Sequence, residues 1–351
     1  MHIAPRVLQL LGACSCPVQV LRSVLPGCGL AIPFTRVYLR SEMDGVLKGA
    51  PKTEQTVYVD DIAQTAQGDT HEIVDALVTG GRMFCEAISR LHLKVSPKSV
   101  IVSCCAKVTD WVKTELEGFG ICVQTAGSAR DLGILLNPGS RRRVSIQAAR
   151  LGSASLRLSR TAGLVKVLRG ARKLVTTGSL PQALWGHVSL GLAPTVLDRL
   201  RTQAAAASGI CQSGRCKTTA IALAFGPSCD PAVKLAREQV GAWLGLWAGC
   251  PELRPDIRVA WVHHHGRVFS DLGPDWNKVT GPMAATMATL HPYGWVMRCP
   301  DLWVDGDGNR WVVDPNAPAS VVVDFVAEIV TAKLWKDASN FWCGGGLQSG
   351  L

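Results

Sequence analysis

Residues 128–217 carry 15 Lys and Arg side chains and only two acids, Asp131 and Asp198, a net +13 in ninety residues. Like charge at such density repels itself, so a compact fold must spread it over an outer surface. The same stretch supplies an anchor for that surface. Leu151, Leu158, Leu164, Val167, Leu168 and Leu174 recur across 141–176, a pattern that predicts helices with one apolar face and arginines opposite. Elsewhere charge is nearly balanced: 1–127 holds 12 basic and 12 acidic residues, and 218–351 holds 10 and 13. The whole chain's excess of +10 therefore lies in one segment, which points to a polyanion partner. A solvated helix face is the plainer alternative, although such faces usually mix signs.

The chain has 351 residues, 47% of them hydrophobic and 18% charged. That is enough to bury more than one core and excludes a disordered tail. The charge steps divide it into three expected segments: 1–127, 128–217 and 218–351. The longest charge-free stretches, 174–197 and 279–297, are broken by prolines and glycines, so no membrane span and no membrane partner is expected. Leu11-Gly12-Ala13-Cys14 has the look of a lipoprotein cleavage box, but the apolar run before it is too short for a signal peptide. Thirteen cysteines without a Cys-x-x-Cys pair read as reduced thiols in an intracellular protein, nuclear or cytoplasmic.

Local patterns outline mixed helix and strand. Residues 30–39 predict a helix and 41–55 a loop marked by Gly45, Gly49 and Pro51. Two β-prone runs, 56–59 and 62–65, predict a hairpin with two acids at its turn. Residues 69–93 predict a long helix capped by Asp69 or Thr70. Strands are expected at 99–104 and 131–136, and helices at 111–117, 195–207 and 230–248. Residues 302–304 and 311–313 flank an Asp-Gly-Asp-Gly turn and predict a second hairpin.

The sharpest chemical signal is Tyr58-Val59-Asp60-Asp61. Adjacent carboxylates at a tight turn repel unless a cation sits beside them, and Mg²⁺ or Mn²⁺ does this well. A solvated turn is the plain reading of the same residues. Other patterns carry less. The run 209–216 has phosphate-loop glycine spacing, but Arg215 and Cys216 stand where Lys and Ser or Thr are needed. His263, His264 and His265 are read as the end of a strand, with rings pointing different ways. Asp305, Asp307 and Asn309 imitate a calcium loop that lacks its closing Glu. The aromatic-rich stretch 276–311 reads as core.

The region around the hairpin resembles the palm of reverse transcriptases from non-LTR, LINE-type retrotransposons, whose Tyr/Phe-x-Asp-Asp hairpin is the signature. Further similarities follow in the family's order. Val24-Leu25-Pro26-Gly27-Cys28-Gly29-Leu30-Ala31 is similar to its glycine block, and Leu93-Lys94-Val95-Ser96-Pro97-Lys98-Ser99 to its downstream lysine stretch. Asp131-Leu132-Gly133-Ile134 resembles its primer-gripping Leu-Gly hairpin, and 178–201 the stretch after its thumb. Together these cover about residues 20–205.

The resemblance implies a partial palm over 1–127 and a basic helical thumb-like segment over 128–217; with the α+β patterns of 218–351, a region to which it assigns no role, the expected fold is α/β (α+β). The resemblance also implies RNA-directed DNA polymerase lineage, a nucleotidyltransferase acting on an RNA or DNA template-primer. Asp60 and Asp61 would hold Mg²⁺ or Mn²⁺, and Lys98 would contact phosphate or donate a proton. Gly27 would give the close backbone approach to the strand. Arg141, Arg142, Arg143, Arg150, Arg157, Arg160, Lys166, Arg169, Arg172 and Lys173 would meet the phosphates. One departure is decisive for chemistry. No acidic residue precedes Glu42, so the family's third metal-binding aspartate has no counterpart ahead of the glycine block. Pro26 and Ala31-Ile32 also depart from that block. The expectation is an N-terminally truncated copy that is inactive alone and binds metal weakly, or else a non-catalytic nucleic-acid-binding remnant that uses 128–217.

Overall fold

A computed structural model of the chain describes residues 9–10, 13–14, 16–17, 29–131, 133–136, 142–210, 214–270 and 273–343. It is mixed helix and strand, with small sheets, as an α+β chain requires. Two compact units form, Met1–Leu132 and Gly133–Leu351.

The first unit opens with a short antiparallel pair, β1 (Gln9–Leu10) and β2 (Ala13–Cys14). Helix α1 (Ala31–Gly49) follows, then the hairpin of β3 (Glu54–Tyr58) and β4 (Asp61–Thr65). Next come α2 (Thr70–Arg90), β5 (Val100–Ile101), α3 (Ala106–Gly118), β6 (Gln124–Thr125) and β7 (Ala129–Asp131). Strands β5 and β6 pair in parallel around α3, a minimal βαβ unit. The helix start at residue 70 is fixed by a reciprocal cap. Asp69 Oδ1 accepts from Glu72 N at 2.9 Å, and Asp69 N donates to Glu72 Oε2 at 3.2 Å. One face of α2 puts Ala87 and Ile88 against Leu39, Met43 and Val46 of α1. The other packs Val74 against Val108, Val112 and Leu116 of α3.

The expected loop at 41–55 is mostly helix. Helix α1 runs on through Gly45, whose α-carbon faces open space, as far as Gly49. Burying Met43 and Val46 outweighs the cost of a mid-helix glycine, about 1 kcal/mol.

The second unit begins with β8 (Ile134–Leu136) and α4 (Ser145–Val165). A 3₁₀ turn, Arg169–Arg172, and a π turn, Val175–Ser179, lead into α5 (Leu180–Leu184), α6 (His187–Leu190), α7 (Pro194–Ala206) and α8 (Lys217–Phe225). Then come α9 (Pro231–Gly249), α10 (Arg254–Val268), the pair β9 (Phe269–Ser270) and β10 (Gly273–Pro274), and α11 (Gly281–Leu290). The unit ends with β11 (Val296–Cys299), β12 (Leu302–Val304), β13 (Arg310–Val312) and α12 (Ala319–Cys343).

No boundary between compact units falls at 217. Leu158, Leu180, Leu184, Leu200, Ile221 and Leu235 share one core, so segments either side of the charge step bury each other. A second core joins α9 and α12 to the three-stranded β11-β12-β13 sheet through Trp243, Trp247, Trp295, Trp303 and Val330. At the β12–β13 turn Asp305 is buried. Its carboxylate accepts from Asn309 N, Asp307 N and Trp311 Nε1 at 2.9, 3.0 and 2.9 Å. Burial pushes its pKa up, but these hydrogen bonds outweigh that and hold it below the usual carboxylate value. The oxygens are spent on the turn, which leaves no calcium loop.

Two local expectations fail in this unit. The histidine run lies inside α10, because the chain enters a helix at Arg254 and stays in it through Val268. The predicted apolar face of 141–176 breaks at the end of α4. Leu158 is buried, whereas Val167 is 89% and Leu168 59% exposed. The chain leaves the helix at Val165, so helical spacing no longer maps those residues to one face. Among the described residues no helix is long and apolar enough to cross a membrane.

Candidate nucleic-acid interface and acidic hairpin

The acidic hairpin is built as a tight two-residue connection. Tyr58 pairs with Asp61, which leaves Val59 and Asp60 as the turn and Asp61 as the first residue of β4. Val59 has φ 58°. A positive φ at the first position of a two-residue hairpin turn normally selects Gly. A β-branched residue there costs on the order of 1–3 kcal/mol, a strain concentrated at sites that use it. The hairpin is anchored by Ile62, which packs on the α1–α2 core, and by Gln64, whose Nε2 donates to Gly80 O at 3.3 Å.

Asp60 and Asp61 are both exposed. Among the described residues neither takes part in an ion pair, and no group of three or more His, Cys, Asp or Glu side chains lies together. Two carboxylates on one turn fit a single loosely held divalent cation. They do not fit the paired-metal centre that the resemblance implies. Lys98 is exposed in the loop after α2, where its backbone N donates to Ser96 Oγ. No hydrogen bond or ion pair joins it to either aspartate. The first two acids of the chain, both on α1, are engaged: Glu42 pairs with Arg90 at 2.8 Å and Asp44 with Arg40 at 3.4 Å. A Mn²⁺ titration followed by water proton relaxation is expected to give a dissociation constant of about millimolar, and Asp60→Asn to weaken it further. Unchanged binding in the variant would place the ion elsewhere.

The basic side chains sort into two groups. Gly27 and Arg141 lie outside the described residues. Arg142 is occupied within the fold. Its Nη2 donates to Gly191 O at 2.9 Å and Gln147 Oε1 at 3.2 Å, and its guanidinium lies 5.4 Å from the Trp276 ring. Burial pulls its pKa below the ordinary guanidinium value. Arg150 reaches back toward Trp185 O, and its guanidinium crowds Gly133. Arg143 is exposed at the start of α4 and has a partner of its own.

Arg157 and Arg160 stand exposed on α4, followed by Lys166, Arg169, Arg172 and Lys173 in and beside the 3₁₀ turn. None of these six makes an ion pair among the described residues. The last three converge. Arg169, Arg172 and Lys173 line a cleft of about 370 Å³ together with Gly170, Thr176, Ala224, Phe225 and Cys229. No acid lines it. Arg172 Nε donates to Arg169 O at 3.3 Å, which ties that side chain to the turn. Phe225 also lines it while packing on the core shared by α4 and α7. Sequence reasoning found the three cations and missed Phe225 and Cys229, which come from α8 and the 3₁₀ turn that follows it.

Compared with known proteins, the chain matches no family model, no curated protein and no solved structure.

Proposed function

We propose that this chain is a nucleic-acid-binding protein of reverse-transcriptase descent, in which the basic surface of the second unit holds an RNA or DNA template-primer by its phosphates. In this reading the first unit is the remnant of a palm, and α4 with its following turns is the thumb-like part. One observation carries the proposal. Arg157, Arg160, Lys166, Arg169, Arg172 and Lys173 present six cations in 17 residues without an ion-pair partner among the described residues. Among the described residues every ion pair draws its cation from outside this stretch, as with Arg90–Glu42, Arg237–Asp324 and Arg258–Asp301. Unneutralised cations on a helix face are costly in self-repulsion and are stabilised by a polyanion.

Counterion release supplies the test. Affinity for a duplex should fall linearly with salt on logarithmic axes, with a slope of about −0.9 for each phosphate neutralised. Arg157→Ala, Arg160→Ala and Lys166→Ala together should flatten that slope by about 2–3 and act alike on unrelated sequences. Equal affinity at low and high salt would overturn the proposal. The polymerase lineage has support of its own in the solvent-facing Asp60 and Asp61 and in the strained Val59 of the turn beside them. Among the described residues no third acid joins them, which argues against catalysis by the hairpin alone.

A further inference from the structure

Resting on the nucleic-acid reading above, we infer that the cleft between the Arg169–Arg172 turn and Phe225 is a binding site for a 5′-phosphorylated nucleotide, either free or at the end of a strand. Three features distinguish it from the open basic face of α4. The first is concentration of charge. Arg169, Arg172 and Lys173 surround one concavity and no carboxylate lines it. An internal phosphodiester carries one charge, whereas a terminal phosphomonoester carries close to two at neutral pH and has three strong acceptor oxygens. Two guanidinium forks and an ammonium suit the second better. The second feature is size. A volume of about 370 Å³ lies in the range of small-molecule sites, whereas a duplex backbone needs only a surface. The third is Phe225, an aromatic side chain in the lining of the same cleft. A ring in that place can carry the base or ribose of the same nucleotide, and stacking on an aromatic face tolerates any base.

The cleft contains its own reporter. Cys229 lines it as a free, partly exposed thiol. Cys104 and Cys105 are free and exposed in the first unit and serve as internal controls. The experiment is iodoacetamide alkylation of the full chain, read at each cysteine by mass spectrometry. The probes are adenosine 5′-monophosphate, a 5′-phosphorylated twelve-residue oligonucleotide, and the same strand with a 5′-hydroxyl. Strand binding is followed in parallel by fluorescence anisotropy. At about ten times the dissociation constant, the phosphorylated strand and the free nucleotide should slow Cys229 alkylation about tenfold and leave Cys104 and Cys105 unchanged. Arg169→Ala with Lys173→Ala should abolish that protection. Arg172→Gln alone should weaken it, in a variant checked for native tryptophan fluorescence.

Equal protection by the phosphorylated and hydroxyl strands overturns the assignment of a terminal phosphate. Salt-sensitive strand binding with Cys229 fully reactive overturns the cleft and leaves the broader nucleic-acid reading standing. Protection by the free nucleotide with no strand binding supports the cleft and overturns the broader reading.

Discussion

Asp230→Ala is expected to remove about 3–5 kcal/mol from the stability of the second unit, the usual cost of leaving one partner of a buried ion pair uncompensated. The geometry at this residue is dense. Arg201 Nε donates to Asp230 Oδ1 at 2.8 Å, and Arg201 Nη2 donates to Asp230 Oδ2 at 3.0 Å and to Thr218 Oγ1 at 2.9 Å. Both side chains are almost wholly buried. Asp230 Oδ1 also accepts from Ala232 N at 2.9 Å, which caps the first turn of α9. The Arg201–Asp230 pair therefore ties α7, α8 and α9 together, the carboxylate joining α7 to α9 and the guanidinium reaching α8. A domain typically has only about 5–15 kcal/mol to lose. Denaturant unfolding followed through the buried tryptophans, Trp243, Trp247, Trp295 and Trp303, measures the change. Asp230→Asn separates the roles, since it keeps the cap and loses the charge. The double variant Arg201→Met with Asp230→Leu should recover most of the stability, because an apolar pair of similar volume avoids desolvating two charges. A loss under about 1 kcal/mol in Asp230→Ala would mean that the pair is open in solution.

That pair also marks the limit of what the sequence discloses. Arg201 lies in a stretch legible only as basic helix, and Asp230 stands 29 residues away with nothing local to link them. The hairpin was readable because its information is local, two β-prone runs around a two-residue connection, but that connection falls one residue earlier than expected, on Val59 and Asp60, and puts Asp61 in β4. Helix α2 was readable because its cap, Asp69 with Glu72, lies three residues apart. Helix α1 was cut short at its glycines because the force that carries it past Gly45 is burial against α2, which is remote in sequence. The histidine run in α10 was misplaced for the same reason: Trp261 is set in a helix by the core it enters rather than by its neighbours. The charge step at 128–217 contains the six cations that make no ion pair among the described residues, beside others, such as Arg201 and Lys217, that do. Its end at 217 does not separate cores, because surface charge reports on the outer face while Ile221 and Leu235 settle the core beneath it. The cleft wall was invisible, since Phe225 and Cys229 meet the arginines only after the chain has passed through α5, α6, α7 and α8.

The chain as it stands is expected to show no primer extension, even on a template-primer that it binds. Phosphoryl transfer to a 3′-hydroxyl needs the nucleophile, the α-phosphate and two metals held in line, and positioning with charge stabilisation supplies most of the rate. Asp60 and Asp61 are exposed on a two-residue turn. No third metal-ligating side chain joins them among the described residues. Removing one preorganised electrostatic group costs about 10²–10³ in rate, and groups that act as a unit lose more than their share when one is missing. Extension of a labelled primer on RNA template, with Mg²⁺ and then Mn²⁺, is the assay. Anisotropy on the same substrate shows that binding is intact. Asp60→Ala with Asp61→Ala is the control, and it should leave both the binding and the blank extension unchanged. Extension by the wild type that the double variant abolishes would overturn the expectation. It would require a further carboxylate to reach the turn. The two acids of α1, Glu42 and Asp44, would first have to leave Arg90 and Arg40. Glu42→Gln and Asp44→Asn would then show which of them had moved.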